Sequence, residues 1–352
     1  MRGTVPTLVN NVPKHMPDKR PVTLRMVAAR AGVSLATASY ALRSGSRAVT
    51  PALRQRVIDA ADELGYELRP RGRLRTRALT VAAVVPDPTN SFFSDVLRAA
   101  EATLRAGGHR LVVSSSGEDE AQEEEIVSTV LRGRIDGLLL APAGPVGPAV
   151  RALAASGAAV VLIDRDGEAP DLSSVVLDNA SSARRATRLL AAGGCRRIAI
   201  LNGPQRISTA RDRLAGYLQG LADAALPVEP IYQRTVEFNA EEARRSADAL
   251  LRLPKRPDGV FSASAILTSG LLQSMREHGL RAGTDVAVVG YGDAPWAALV
   301  EPAVTVIEQP TRRLGETAVR LLLADPSAPP QRVVLESQLI LRDSHWRHGA
   351  AS

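Results

Sequence analysis

The sequence predicts an all-α module at the N-terminus followed by a larger α/β core that divides into two doubly wound lobes. Apolar residues recur at helical spacing in three short segments between residues 23 and 64, each preceded by a residue that can cap a helix. From residue 79 onward, short β-branched runs alternate with amphipathic segments, a pattern typical of parallel sheets covered by helices. The 352 residues suit a small domain joined to a bilobal one.

The first of these parts has the pattern of a helix-turn-helix. Thr23 can cap a first helix, which Gly32 ends. Ser34 can cap a second helix over 35–42, and Thr50 can cap a third. Two short helices that meet at a Gly-containing turn, with a third helix closing a small core, are typical of modules that read DNA.

The second part alternates strand and helix candidates. The expected strands are 79–85, 110–114, 137–141, 158–164, 198–202, 259–262 and 286–290. The expected helices are 94–106, 121–131, 181–192, 211–224, 240–253 and 267–278. These units are too many for a five-stranded sheet, and a break near 175–179 predicts two similar parallel-sheet lobes.

The positive charge of the chain is concentrated in the N-terminal part. Residues 1–78 contain 15 Lys and Arg against 5 Asp and Glu, whereas the remaining 274 residues contain 29 basic and 32 acidic side chains. The resulting balance of +10 against −3 indicates a polyanionic partner, either nucleic acid or an anionic membrane surface. A solvated basic tail is the alternative.

Compartment and cofactor follow from what the sequence contains. Residues 1–20 hold Pro, Asn and Lys without an apolar run of secretory length, so we expect a disordered leader. No apolar run is long enough to span a bilayer, and we expect no membrane partner. Cys195 is the single cysteine, which allows no intramolecular disulfide and no zinc site with a second Cys. The sequence therefore predicts a cytoplasmic protein without a cofactor.

Two segments resemble a known family. Residues 22–42 read VTLRMVAARAGVSLATASYAL, and residues 49–66 read VTPALRQRVIDAADELGY. Together they resemble the N-terminal signature of the lactose-repressor/galactose-repressor (LacI/GalR) family of transcriptional regulators, and the remainder resembles that family's bilobal periplasmic-binding-protein-like core. The resemblance spans about residues 22–343.

The resemblance implies a division of the chain. It gives a leader over 1–20, a helix-turn-helix domain over 21–67, a hinge over 68–78, an effector-binding and dimerisation core over 79–343, and a tail over 344–352. Lobe 1 is expected over about 79–178 and 309–324, and lobe 2 over about 179–308 and 325–343.

The resemblance also implies DNA-contacting residues. Leu35, Ala36 and Tyr40 occupy its base-reading positions, although Leu35 and Ala36 could instead pack in the module. Its positions for contacts to the DNA backbone are Thr23, Ser34, Thr37 and Ser39. Because the phenol of Tyr40 cannot make the bidentate contact to guanine that Arg makes, we expect a base preference that differs from Arg-bearing relatives.

A hinge helix that places a leucine in the minor groove is the family's next feature. Leu74, beside Arg73, fits that role here. The segment looks one residue shorter than usual and contains Gly72, which costs roughly 1 kcal/mol inside a helix. Phosphate contacts by the alternating arginines can compensate, and a flexible basic tether that never forms the wedge is the alternative.

Effector-binding candidates lie at strand ends and at the lobe crossover, where ligands of open parallel sheets bind. Arg213 is the residue that matches the family's ligand-binding arginine. The full set is Asp87, Phe92, Phe93, Asp164, Arg165, Asp178, Asn179, Arg213, Ser264 and Trp296. The two phenylalanines could stack on a ring-shaped ligand or belong to the core, and Trp296 could face the ligand or pack.

The chain departs from the family pattern at two ligand-facing places. Ser264 and Ala265 stand where relatives usually have Asn-Asp, and Gly292 replaces an acidic residue. Unpaired sugar hydroxyls cost about 1–3 kcal/mol each, so these changes predict a less polar pocket than a pentose or hexose site. We expect a different or bulkier effector, or none.

The resemblance implies a transcriptional regulator, and repression is the family's commoner outcome. The chain is expected to bind a palindromic operator in double-stranded DNA as a homodimer, on the nucleoid, under allosteric control by a small-molecule effector in the interlobe cleft. A ligand-independent DNA-binding regulator and a small-molecule-binding protein without a DNA role are the alternatives. We expect no enzyme, because the sequence has no Gly-x-Gly-x-x-Gly or phosphate-binding Gly-Lys-Ser/Thr loop and its histidines are scattered.

Overall fold

The computed structural model describes residues 24–34, 37–38, 41, 50–64, 78–133, 135–325 and 328–346. The chain forms two compact units, 1–71 and 72–352. The leader 1–20, most of the hinge 68–78, and Thr23, Leu35, Ala36, Ser39, Tyr40, Arg73 and Leu74 lie outside the described residues.

Small apolar side chains hold the N-terminal unit together. They come from α1 (Leu24–Ala31), from α2 (Pro51–Leu64) and from the segment between these helices. Val27 and Val57 are completely buried, and the other buried members of this core are alanines at positions 28, 31, 38, 41, 60 and 61. Because alanine and valine take little space, short helices can pack closely around so small a core.

The turn after α1 forms as the sequence predicts. Gly32 has a φ of +66°, in the left-handed region that glycine adopts without strain, and it ends the helix. The backbone at 37–38 and 41 is helical again. The Thr37 amide donates to Ser34 Oγ at 3.1 Å, so Ser34 caps this second helical segment.

Lobe 1 is a parallel sheet with helices on both faces. Its elements are β1 (Thr80–Val85), α3 (Ser91–Ala106), β2 (Arg110–Ser115), α4 (Glu120–Arg132), β3 (Gly137–Leu140), α5 (Pro148–Ala155), β4 (Ala159–Asp164), β5 (Ser173–Leu177), α10 (Thr311–Leu322) and β11 (Arg332–Leu335). The strand order is β11-β5-β4-β3-β1-β2. Alternate residues of β1 pack against α3 and α10 on one face and against α4 and α5 on the other, and accordingly the buried residues 81–85 of this strand are all apolar.

Lobe 2 repeats this architecture. Its elements are α6 (Asn179–Ala192), β6 (Ile198–Asn202), α7 (Ser208–Asp223), β7 (Gln233–Thr235), α8 (Ala240–Leu251), β8 (Gly259–Ser262), α9 (Ala265–Glu277), β9 (Ala287–Tyr291), β10 (Thr305–Glu308) and β12 (Gln338–Ile340). The strand order is β12-β10-β9-β8-β6-β7, and the described pairings are parallel except for β10 with β12. The two doubly wound lobes expected from the sequence are present.

The chain passes between the lobes at three crossovers, which follow β5, β10 and β11. The first two fit the expected lobe boundaries. The expectation that 325–343 belongs wholly to lobe 2 is wrong, because β11 pairs in parallel with β5 of lobe 1. The tail boundary at 344 is also too early, since Ser344 and His345 are buried and Ser344 Oγ donates to the Val288 carbonyl of β9 at 2.7 Å.

Candidate functional site

A cleft of about 280 Å³ is lined by both lobes. Side chains that follow β1, β4 and β8 reach it, as expected for the carboxyl ends of parallel strands. Seven of the effector-site residues predicted from the sequence line it: Asp87, Phe92, Phe93, Asp164, Arg165, Arg213 and Ser264. The structure thus brings these seven together, and their role in binding a ligand stays a prediction.

Asp164 and Arg165 at the end of β4 form the most buried charged part of the lining. Asp164 has a φ of +65°, and its Oδ1 is buried without a hydrogen-bond partner. Burial raises the pKa of the Asp164 carboxyl, and the positive charges of Arg213 and Arg165 oppose that rise. An unsatisfied buried carboxyl oxygen at a cleft surface is suited to accept a hydrogen bond from a bound molecule.

Glu118 is a cleft residue that the sequence reasoning missed. It follows β2, and both of its carboxylate oxygens accept from Arg165, from Nη1 and Nη2 at 2.7 Å each. Burial opposes the charge of Arg165, but the hydrogen bonds and attraction of Glu118 raise the pKa of the guanidinium. The φ of Glu118 is +64°, a conformation that costs a residue with a side chain roughly 1–2 kcal/mol. Its position after a predicted strand is the signal that could have revealed it.

Arg213 enters the cleft from α7 in a fixed orientation. Its Nε donates to Asn179 Oδ1 at 2.8 Å, and its Nη1 donates to the Ala263 carbonyl at 2.7 Å. The guanidinium lies 3.8 Å over the ring of Tyr291, whose hydroxyl also donates to Asn179 Oδ1. Asn179 therefore positions Arg213 and Tyr291 and does not itself line the cleft.

Asp178 lies outside the cleft lining, contrary to its predicted place there. Its Oδ1 accepts from the amide of Ser337 at 2.8 Å and from the hydroxyl of Ser182 at 2.9 Å. Arg185 donates both to Asp178 Oδ2 and to the Ser337 carbonyl. Because Asp178 follows β5 and Ser337 follows β11, these contacts tie the first lobe crossover to the third.

Trp296 also lies outside the cleft lining. It packs against the buried core of lobe 2, which is the packing alternative that the sequence left open. For Phe92 and Phe93 the sequence allowed either stacking on a ligand or packing in the core. Phe93 is 5% exposed and belongs to the lobe 1 core, whereas Phe92 is partly buried beside it, and both reach the cleft. Their ring centroids lie 5.0 Å apart, edge to face.

The departure at Gly292 has a structural reason. Its φ is +94°, and a Cβ atom there would lie 3.3 Å from Ala265 Cβ and from Gln309 Oε1. An acidic side chain at this position would therefore strain the backbone and crowd its neighbours. The next residue, Asp293, lines the cleft but is already paired with both Nη atoms of Arg342, at 2.7 and 2.8 Å.

Charge in the cleft is greater than the changes at Ser264 and Gly292 led us to expect. The charged lining residues are Asp87, Asp95, Glu118, Asp164, Arg165, Arg213, Asp293 and Glu308. The prediction of a less polar pocket considered lobe 2 positions, whereas much of the charge comes from lobe 1, from Asp87 after β1, Asp95 on α3 and Glu118 after β2. In the described part of the chain, no group of three or more His, Cys, Asp or Glu is arranged to hold a metal ion.

The described part of the N-terminal unit includes two of the predicted DNA-contacting residues. Ser34 Oγ and Thr37 Oγ1 lie 2.8 Å apart at the start of the second helical segment. Ser34 is exposed and Thr37 is partly buried. A helix N-terminus with two hydroxyls suits a phosphate contact.

No helix among the described residues is long and apolar enough to cross a membrane.

Comparisons with known proteins match both units. The model described as bacterial regulatory proteins, lacI family, matches residues 23–67, and the periplasmic binding protein-like domain matches residues 187–345. The HTH-type transcriptional regulator CelR of Thermobifida fusca is 32% identical over 341 residues, which cover 94% of this chain and 100% of that protein. The chain belongs to the lacI family. It is a DNA-binding transcriptional regulator with a periplasmic-binding-protein-like core.

Further relatives of this lacI-family regulator agree. The HTH-type transcriptional repressor CytR of Escherichia coli is 31% identical over 305 residues, covering 86% of this chain and 89% of that repressor. The solved structure described as a transcriptional regulator CelR–cellobiose complex has a TM-score of 0.69 and 32% identity, and the match covers 92% of this chain and 100% of that one. The family assignment and the fold class predicted from the sequence are confirmed.

Proposed function

We propose that this lacI-family regulator is a repressor that binds a palindromic operator as a homodimer and that changes its operator affinity when a small molecule binds between the lobes. The observation that supports it best is the presence in one chain of a helix-turn-helix unit and a cleft lined by both lobes. A ligand that touches both lobes binds one lobe arrangement more tightly than others, and this difference is what a ligand needs to shift a conformational equilibrium.

Operator recognition is assigned to the second helix of the N-terminal unit. The family resemblance places Leu35, Ala36 and Tyr40 at base edges, while Ser34 and Thr37 hold the DNA backbone. Leu74 would enter the minor groove, with Arg73 on a phosphate. The basic charge of residues 1–78 supports this assignment, because phosphate contacts release counterions and make binding strongly dependent on salt.

An exposed edge of lobe 1 supports the homodimer. Strand β2 is the last strand of its sheet, and its consecutive residues Val112 and Val113 are 49% and 41% exposed. An apolar sheet edge favours association with another chain, and a second copy would place two DNA-reading units on one operator. Val112→Glu is expected to lower both the dimer fraction in sedimentation and the operator affinity. An unchanged dimer fraction would show that this edge does not belong to the dimer interface.

Selection of bound sequences from random double-stranded DNA tests the function directly. The full chain is used at one stated salt concentration, with and without pooled small metabolites. We expect an enriched palindrome whose half-sites are about one helical turn apart, and a change in its enrichment when metabolites are added. The variant Tyr40→Arg, selected in parallel, is expected to change the preferred base at one step of each half-site.

The outcomes of the selection separate the alternatives. If no sequence is enriched, the DNA-binding function is contradicted. An enriched palindrome that no metabolite pool affects would support a regulator without an effector. A truncated chain of residues 79–352 should lose operator binding, and retained binding would refute the role of the N-terminal unit.

A further inference from the structure

We propose that Glu118 is a specificity residue of the cleft, a built-in carboxylate that occupies the Arg165 guanidinium and restricts the cleft to uncharged or cationic ligands. This inference rests on the proposed function, in which the cleft binds the effector. It concerns which chemical class of effector can enter, and it assigns that choice to a residue of this chain.

The geometry of the pair supports the first part of the proposal. Two hydrogen bonds of 2.7 Å join the Glu118 carboxylate to Nη1 and Nη2 of Arg165, in the bidentate arrangement by which arginine binds carboxylates and phosphates. Arg165 Nη1 also donates to the Pro142 carbonyl at 3.0 Å, which holds the guanidinium in place. The Arg165 side chain is 4% exposed and that of Glu118 is 20% exposed. A ligand anion would have to expel Glu118 to reach these donors.

The second arginine of the cleft is held by the protein through two of its three nitrogen atoms. Arg213 donates through Nε to Asn179 and through Nη1 to the Ala263 carbonyl, and its plane stacks on Tyr291. Six acidic residues and two arginines line the cleft, so the lining as a whole is negative. An anionic ligand is repelled by this lining, whereas an uncharged or cationic one is not.

A buried acceptor at the cleft, the Asp164 carboxyl, favours a ligand that carries a hydrogen-bond donor. Asp164 Oδ1 is buried at the cleft without a hydrogen-bond partner, and Asp164 Oδ2 lies 3.8 Å from Arg165 Nε. A hydroxyl or ammonium group can donate to Oδ1, whereas an ionised phosphate or carboxylate oxygen has no hydrogen to donate to it. Glu118 and Asp164 therefore favour the same class of ligand.

The backbone of Glu118 indicates that its placement depends on the ion pair. Gly117 and Glu118 both have a φ of +64°, and glycine would suit the second position as well as the first. A glutamate persists in this conformation when its side chain makes compensating contacts, which here are the two bonds to Arg165. Glycine at 118 can therefore keep the loop while freeing Arg165.

Binding of inorganic phosphate to the full chain, measured by isothermal titration calorimetry, tests the proposal. The variants are Glu118→Gly, Glu118→Gln, and Glu118→Gly combined with Arg165→Met. The matched control is Glu168→Gly, which removes a glutamate of similar φ, +54°, that pairs with Arg211 outside the cleft lining. Any phosphate bound by the basic N-terminal unit, which these variants leave unchanged, is subtracted as background.

We expect Glu118→Gly to gain one phosphate site at least tenfold tighter than any in the unaltered chain, and Glu118→Gln to gain a weaker one. The gain should disappear with Arg165→Met and be absent from Glu168→Gly. Three results would overturn the proposal: equal phosphate binding by the unaltered chain, no gain in either folded Glu118 variant, or a gain that survives loss of Arg165. Thermal unfolding verifies the fold, and Glu118→Gln decides the outcome if Glu118→Gly does not fold.

Operator affinity of the unaltered chain is measured in parallel at fixed salt. If the unaltered chain does not bind DNA but the phosphate gain follows Glu118 and Arg165, the proposed regulatory function fails while the assignment of Glu118 stands. If operator binding is normal and the phosphate gain is absent, the assignment of Glu118 fails alone. The two failures are therefore distinguishable.

Discussion

Glu123 provides a pH-dependent probe of the loop that follows β3. Its side chain lies on α4 and is buried, and its Oε2 accepts from the amide of Ala143 at 2.7 Å. Burial raises the pKa of this carboxyl from 4.5 to about 7, against the hydrogen bond from Ala143 and the charge of Arg165, which lower it. We expect Glu123→Gln to keep the acceptor for the Ala143 amide while removing the titration.

The sign and size of the effect follow from linkage. Because the folded-state pKa is higher than the unfolded one, the stability that this group contributes is complete below pH 4.5 and is lost as the pH rises through about 7. At about 1.4 kcal/mol for each tenfold change in proton affinity, the full loss is about 3 kcal/mol. The side chain retains some access to water, so we expect the stability of Glu123→Gln relative to the unaltered chain to rise by about 1–3 kcal/mol between pH 5 and pH 8.

Urea unfolding of both proteins, followed across this pH range, measures the difference. The matched control is Glu124→Gln, because the Glu124 carboxylate accepts from the amide of Ala149, at the start of the helix α5 that follows this loop, at 2.7 Å. Subtracting the control separates the titration of Glu123 from the general effect of removing a carboxylate here. A relative stability that stays constant with pH, or that falls as the pH rises, would refute the assignment of a raised pKa to Glu123.

Three further predictions concern other contacts. Arg213→Met is expected to destabilise the core by about 1–3 kcal/mol in urea unfolding, since it removes the side-chain donor to the Ala263 carbonyl and leaves Asn179 Oδ1 with Tyr291 as its donor; a loss below 1 kcal/mol would contradict that arrangement. Ser34→Ala should lower the stability of the N-terminal unit by about 1 kcal/mol, with Thr37→Ala as a control that keeps the cap; equal losses of stability in both variants would argue against capping. The exposed pair of Arg211 and Glu168 should show a coupling of about 0.2–1 kcal/mol in a double-mutant cycle, which 0.5 M salt reduces; a coupling insensitive to salt would refute its surface character.

Local signals in the sequence located most helices and many strands. Glycine at 32 and serine at 34 act on the backbone within a few residues, so their effect on the N-terminal unit can be predicted without knowing a partner segment. The strands over Ile198–Asn202 and Gly259–Ser262 have the bounds that the sequence predicts, because both are continuous apolar runs bounded by polar residues.

The short strands near the C-terminus gave no such signal. β11 has four residues and β12 has three, and neither is a fully buried apolar run. Each is fixed by pairing with a strand far away in sequence, β11 with β5 in lobe 1 and β12 with β10 in lobe 2. The lobe to which each belongs therefore depends on the path of the chain through the crossovers.

The sequence by itself determined the family, the two-part organisation and the strand ends from which the cleft is built, since helical periodicity, β-branched runs and a family signature are all local properties. Only the tertiary structure decided which polar groups at those strand ends face the cleft. Asp178 accepts a hydrogen bond from Ser337 at the lobe crossover, and Asn179 accepts one from Arg213. Glu118, which the sequence did not identify as a site residue, pairs with Arg165, 47 residues away in the sequence. The physical reason is that the orientation of a polar side chain depends on the groups to which it hydrogen-bonds. Here those groups belong to segments far away in the sequence.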